Sequence, residues 1–294
     1  MDLLTVLILT AGFLGFYTLF IKVQPAVKFL AIAAFIHCFF SHTPLTSFTA
    51  YISLIACIYF YIILTHLSEI YWQKIFKTVF AFLCFNIFFM VMQYFHKDIL
   101  LNFGVGQNIG YFGLIGSRMQ LESFLIVALA FLISKPGPHY WALGPIVFVS
   151  ILIFFFAFHY TSLAGHLGVR LNAWGAILKL TQQHPFIGFG IGSFKDLFMP
   201  ISGLKDGQGY WGMAHNDFLQ AAFEFGYIGL AFMLFFIWTL GKQLKKKSVL
   251  CFLGLLIICA DMMVHFPLHQ WQTVLIITIF LAYCQNQLGE AFCR

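Results

Sequence analysis

Long apolar runs separated by short polar connections dominate this chain. Runs long enough, or nearly so, for a tilted transmembrane helix fall at about 3–21, 25–41, 48–66, 75–95, 119–134, 140–158, 226–241, 248–264 and 271–285. The pattern predicts an all-α polytopic membrane protein, a single integral domain over 1–294 with about nine transmembrane helices. One stretch departs from it. Between the sixth and seventh runs the chain turns polar and Gly-rich, and residues 159–226 are predicted to form a long, partly helical outer loop. Within it RLNAWGAILKL brings Leu171, Trp174, Ile177, Leu178 and Leu180 broadly to one face, as in an amphipathic helix lying at the membrane surface. Gln182-Gln183-His184-Pro185 ends that helix, because proline disfavours helix in the residue before it and cannot continue the ladder. A second helix is predicted from about His215, with Phe218, Leu219, Ala222 and Phe225 toward a packed side and Asp217, Gln220 and Glu224 on a polar stripe. Gly226 and Gly229 then permit close helix approach or a change of direction into the seventh run.

Composition agrees. With 61% hydrophobic and 9% charged residues, the chain holds too little polar surface to coat a soluble particle of 294 residues. The formal charge of +6 does not point to nucleic acid, since no basic cluster is interleaved with aromatics and the densest run, KQLKKK at 242–247, follows an apolar span. Placed in the cytoplasm, that run sets the orientation. Lys22, Lys28, Lys74, Lys77, Lys135 and Arg294 then fall on the cytoplasmic side with it, against Lys97 and Arg118 in the short connections opposite. The N-terminus is predicted outside, the C-terminus in the cytoplasm, and the 159–226 loop outside, toward a periplasm or cell exterior. The seven cysteines lie outside the polar loops and form no CxxC pair, which points to neither a disulfide framework nor a zinc site. Met1-Asp2 precede the first run with no basic region, so that run reads as a span rather than a removable signal peptide.

The candidate chemistry lies on the predicted outer face. Arg118 stands four residues before Glu122, a spacing that predicts an interfacial pair, with a polar cavity lining as the alternative for Glu122. Gly188, Gly190 and Gly192 in GFGIGSF allow a compact turn whose N–H groups reach a phosphate, but the spacing is not a dinucleotide fingerprint, and a turn without ligand is the reading from these glycines alone. His215 and Asn216 fall at a helix start, where free N–H groups and the dipole attract an anion; interfacial cap and functional group are both open for His215. Asp261, His265 and His269 gather near a late outer turn without a metal-ligand spacing, so interfacial hydrogen bonding is expected there.

Three ordered elements resemble one family. His215-Asn216, nine residues, Gly226, two residues, Gly229 is similar to the pattern of bacterial O-antigen ligases, O-antigen polymerases and related oligosaccharyltransferases. Arg170, Trp174 and HPFIGFGIGSF resemble that family's Arg, Trp and Pro-x-x-Gly-x-Gly element, and HFPLH resembles its Asp-Phe-Pro-Leu segment, with His265 in place of the aspartate. The resemblance covers about residues 110–270, in a chain with fewer runs than the dozen usual for the family.

The resemblance implies a glycosyltransferase that moves glycan from a polyprenyl-pyrophosphate carrier, such as undecaprenyl pyrophosphate, to a hydroxyl acceptor at the outer face of the bacterial inner membrane. It implies His215 as base and Arg170 as pyrophosphate clamp, with Arg118, Lys195, Asn216, Asp217 and Glu224 as substrate-binding candidates and Gly188, Gly190, Gly226 and Gly229 as structural glycines. The residue types suit that chemistry, since arginine keeps its charge beside an apolar surface and matches phosphate oxygens, and a histidine accepts a proton near neutral pH. Attack opposite the pyrophosphate would invert the anomeric centre, and no cofactor or metal is expected. Membrane lipids and a glycan, lipid A core or protein acceptor are the expected partners, with no nucleic acid. The other readings are a protein O-oligosaccharyltransferase, a transporter using Asp261 and Glu122, and a structural membrane protein; paired halves expected of a transporter are missing from the sequence.

Overall fold

The computed structural model describes residues 25–94, 118–135, 163–202 and 212–288. Every regular element among them is helical: α1 Pro25–Phe39, α2 Pro44–Thr65, α3 Glu69–Tyr94, α4 Arg118–Ile133, α5 Leu163–Thr181, α6 Phe194–Ser202, α7 Asp217–Lys247, α8 Val249–Met262, a 3-10 turn at Pro267–His269, and α9 Trp271–Leu288. Helices thus occupy seven of the nine expected apolar runs, and the runs at 3–21 and 140–158 lie outside the described residues. Among the described helices, Pro44–Thr65, Glu69–Phe89 and Asp217–Lys247 are long and apolar enough to cross a membrane, while Gln120–Ile133 and Val249–Met262 are apolar but shorter.

Burial explains the first of the shorter ones. From Phe124 to Ile133 the sequence of α4 is apolar around its whole circumference, the pattern of a helix enclosed on all sides. Leu121, Phe124, Leu125, Val127, Ala128, Ala130 and Phe131 are all buried, packed by α3, α8 and α9. Phe76 of α3 stacks on Phe131 at 4.2 Å, with Tyr283 of α9 edge-on to Phe76 at 4.9 Å. The outer helices instead expose their apolar residues: Phe232, Leu234, Phe235, Phe236 and Trp238 of α7 are each about half exposed. Such a band is what lipid contact requires, and Lys242 lies over the Trp238 ring at its cytoplasm-predicted end.

Two face assignments are corrected. On α5 the buried apolar residues are Ala173, Ile177 and Leu180, packed on α6 and α7, whereas Leu171 and Leu178 point outward. In a membrane chain both sides of a surface helix meet apolar surroundings, so the apolar stripe alone does not name the packed face. On α7 Asp217, Gln220 and Glu224, the expected polar stripe, are buried, and of the expected packed side Ala222 is buried while Phe218, Leu219 and Phe225 are only partly so. The cause is the same: with lipid outside, the polar stripe turns toward the protein, where partners wait.

The Gly-rich loop joins these parts. Gly226 leaves helical conformation at φ 68° and ψ −173°, which kinks α7. Tyr227 N–H, denied its helical acceptor, donates instead to Pro185 O at 2.7 Å, and the released Phe223 and Glu224 carbonyls accept from Phe189 and Gly190 N–H at 2.9 Å each. The loop's other side reaches the α1–α2 turn, where His42 N–H donates to Phe189 O at 3.0 Å and Ser47 Oγ to Ile191 O at 2.6 Å. Gly188 and Gly190 lie at positive φ against Phe223 O and Ser41, and Gly229 one turn past the kink leaves room for Phe225 Cβ. A Cβ on Gly226 would lie 2.5 Å from the Phe186 carbonyl carbon. Gly226→Ala is therefore expected to destabilise the chain by about 2–4 kcal/mol, through left-handed strain plus overlap. Thermal unfolding of the purified protein in lipid nanodiscs checks it; an unchanged midpoint would show that the kink is dispensable.

Candidate active site

The polar residues that α4, α5, α7 and α8 direct inward meet around one segment, Met263–His269, between α8 and α9. Arg170 on α5 is half-buried and donates from Nη1 to Val264 O at 3.2 Å. No carboxylate lies within ion-pair distance of it among the described residues. Burial, partly offset by Glu122, lowers its pKa, yet a guanidinium stays charged at any physiological pH.

His215 reaches the same segment from the other side. Its ring stands edge-on to Phe266 at 4.8 Å. At φ 53° it is the one non-glycine residue at positive φ among those described, a conformation glycine adopts more easily. The flanking chain is fixed by Ala214, whose carbonyl accepts from Trp174 Nε1 at 2.8 Å and whose N–H donates to Gln220 Oε1 at 3.0 Å. Capping falls to Asn216 instead: its Oδ1 accepts from Leu219 N–H at 3.0 Å and its Nδ2 donates to Met263 O at 3.0 Å. Burial first, then the charges of Arg170 and His265, push the His215 imidazole down to about 3. It is neutral at physiological pH, beside a cation.

Two carboxylate–histidine pairs complete the site. His265 Nδ1 donates to Asp261 Oδ1 at 2.6 Å, Asp261 Oδ2 accepts from Ser123 Oγ at 2.5 Å, and Glu122 Oε2 faces His265 Nε2 at 3.6 Å. Burial alone would lower the His265 pKa, but Asp261 and Glu122 outweigh it and raise it to about 9. His269 Nδ1 donates to Asp217 Oδ1 at 2.8 Å, and Glu224 Oε1 lies 4.0 Å from its other nitrogen. Here too burial opposes and the carboxylates prevail, raising the pKa. Among the described residues no three His, Cys, Asp or Glu side chains are grouped to hold a metal ion.

A raised histidine pKa has a definite pH signature. A group whose folded pKa exceeds its unfolded value stabilises fully below about 6.5, and that contribution disappears as pH climbs through the folded value. For His265 the window closes near 9, with on the order of 3 kcal/mol at stake. The wild-type unfolding midpoint is expected to drop between pH 7 and 10, and the drop to shrink in His265→Leu; equal slopes would dismiss the buried imidazolium.

The site thus gathers Arg170, His215, Asn216, Asp217 and Glu224 of the expected residues. Lys195 is exposed on the first turn of α6, away from these hydrogen bonds. The Arg118 side chain lies outside the described residues, and with it the expected Arg118–Glu122 pair. The hydrogen bonding expected at Asp261, His265 and His269 is present, though two of the partners were not named by the sequence. The four-residue spacing of Asp261 and His265 signals their pair, but Glu122 and Asp217 come from helices distant in sequence.

Residues 103–234 match the family model described as O-antigen ligase. No curated protein and no solved structure matches the chain. The matched segment contains Arg170, the Gly-rich loop, His215 through Glu224 and the Gly226 kink, and stops short of the Met263–His269 segment that those residues contact. Over residues 103–234, a little under half of its length, this chain is therefore similar to the O-antigen ligase family.

Proposed function

We propose that the chain transfers a glycan from a polyprenyl-pyrophosphate carrier to a hydroxyl acceptor, in the manner of an O-antigen ligase or polymerase. The observation that carries the reading is the convergence of Arg170 and His215 on Val264 and Phe266 of one segment. A cation with no carboxylate in ion-pair distance among the described residues, beside a neutral imidazole, suits a reaction with an anionic leaving group and a hydroxyl nucleophile.

The proposed step is a single displacement. His215 takes the acceptor's hydroxyl proton on a ring nitrogen as the oxygen attacks the anomeric carbon. The bond from that carbon to the pyrophosphate oxygen breaks, its electron pair stays with the pyrophosphate, and Arg170 holds the developing charge. Attack from the face opposite the leaving group inverts the centre. Arg118 and Lys195 add positive charge for the carrier or its glycan, Asn216 caps α7, and Glu224 holds the Gly-rich loop through Gly192 N–H. The reaction involves no metal and takes place at the outer face of the inner membrane, with the 159–226 loop and N-terminus outside and the C-terminus in the cytoplasm. The acceptor is a glycan, lipid A core or a protein hydroxyl.

The test is transfer in vesicles containing the purified chain and a polyprenyl-pyrophosphate-linked glycan, with each acceptor class supplied in turn and EDTA present. Glycan on one acceptor and free polyprenyl pyrophosphate are expected in equal amounts. Consumption of neither, with all three acceptors, would sink the reading, and loss on adding EDTA would remove its metal-free form.

A further inference from the structure

Three consecutive residues at the start of α7 hold three different parts of the Met263–His269 segment. His215 meets Phe266, Asn216 donates to Met263 O, and Asp217 takes the far end with both carboxylate oxygens. Its Oδ2 accepts from Leu268 N–H at 3.0 Å while its Oδ1 accepts from His269 Nδ1 at 2.8 Å. The Asp217 side chain is fully enclosed, so it reaches no surface at which a substrate could arrive. The clasp has support behind it: Glu224, 4.0 Å from His269 Nε2, accepts from Gln220 Nε2 at 3.0 Å and from Gly192 N–H at 2.8 Å.

The clasped segment is tied to α8 at its near end, where the Met263, Val264 and His265 N–H groups donate to the Ala260 and Asp261 carbonyls. Its one regular piece is the 3-10 turn Pro267–His269, too short to fix its own position. Yet the Met263 and Val264 carbonyls are where Asn216 and Arg170 dock. We propose that Asp217 and His269 are positioning residues: their clasp fixes the Met263–His269 segment on α7 and thereby sets the aim of Arg170 relative to His215. The proposal rests on the assignment of Arg170 and His215 made above. A charge-assisted bond from a buried carboxylate is a strong fixing element, and a displacement of about 1 Å at a reacting centre can cost 10²-fold in rate.

The experiment compares Asp217→Asn, His269→Gln and the double variant in nanodiscs, by transfer kinetics and by backbone hydrogen exchange of the 263–270 peptide. Each single variant is expected to lose about 10- to 100-fold in kcat with donor KM changed less than about twofold. The double variant is expected to lose no more than the worse single, because both break one clasp. Exchange in 263–270 is expected to quicken in all three while α4 and α8 peptides stay as in the wild type. His269→Gln, whose side chain is 24% exposed, keeps the test open if Asp217→Asn fails to fold. Unchanged exchange overturns the clasp, and additive losses, or faster exchange with wild-type kcat, overturn its positioning role. Absence of transfer by the wild type would instead strike the functional reading, and the exchange arms would still judge the clasp.

Discussion

Replacing His215 by alanine is expected to lower glycan transfer by about 10²- to 10⁴-fold while the protein still inserts and folds. The argument starts from the backbone. Histidine at φ 53° sits where glycine would be more comfortable, so the fold keeps a side chain there at a local cost of about 1–3 kcal/mol. Capping does not require it, since Asn216 serves α7. His215→Gly is therefore expected to unfold at a temperature no lower than the wild type and yet to be as inactive as the alanine variant. Electrostatics gives the imidazole its timing. In the resting site burial, Arg170 and His265 hold it at about 3, a weak base. A pyrophosphate bound at Arg170 cancels that repulsion, so the imidazole gains basicity when a donor is in place. Steady-state transfer by both variants, with wild-type unfolding curves, checks the expectation; substantial transfer by either would remove His215 from the chemistry.

Arg170→Ala is expected to cost about 10²- to 10³-fold in kcat/KM, the size of losing one preorganised donor to a developing anion. Arg170→Lys should recover only part. Lysine keeps the charge but lacks the planar fork that takes two phosphate oxygens and still spares an N–H for the Val264 carbonyl. The variant has a second effect that separates it from simple loss of binding: with Arg170 gone, one of the charges depressing His215 is removed, and the imidazole pKa rises. Full activity in the lysine variant would mean that point charge alone suffices, and full activity in alanine would dismiss the clamp.

How much of this was readable beforehand varies by residue, for physical reasons. Helical runs such as Pro44–Thr65 follow from apolar length, because lipid forces every backbone group into internal hydrogen bonds. Gly226 was legible as a change of direction, and the kink is there. The inward turn of Asp217, Gln220 and Glu224 was not, since the usual rule of apolar inside and polar outside fails where the outside is lipid. Nor did any pattern link Glu122 to His265 or Asp217 to His269, because side chains more than 50 residues apart are joined by tertiary packing, of which periodicity carries no trace. The Gly-rich loop had two readings; its Phe189 and Gly190 N–H groups serve the carbonyls that the α7 kink releases, and its Gly192 N–H serves the Glu224 carboxylate.

The central claim is that Arg170 and His215 divide binding and chemistry within one site. Its most direct test is the affinity of labelled polyprenyl pyrophosphate for the wild type, His215→Ala and Arg170→Ala in the same nanodiscs. The account predicts wild-type affinity for His215→Ala and at least about 10-fold weaker binding for Arg170→Ala. Equal affinity across all three proteins would contradict it.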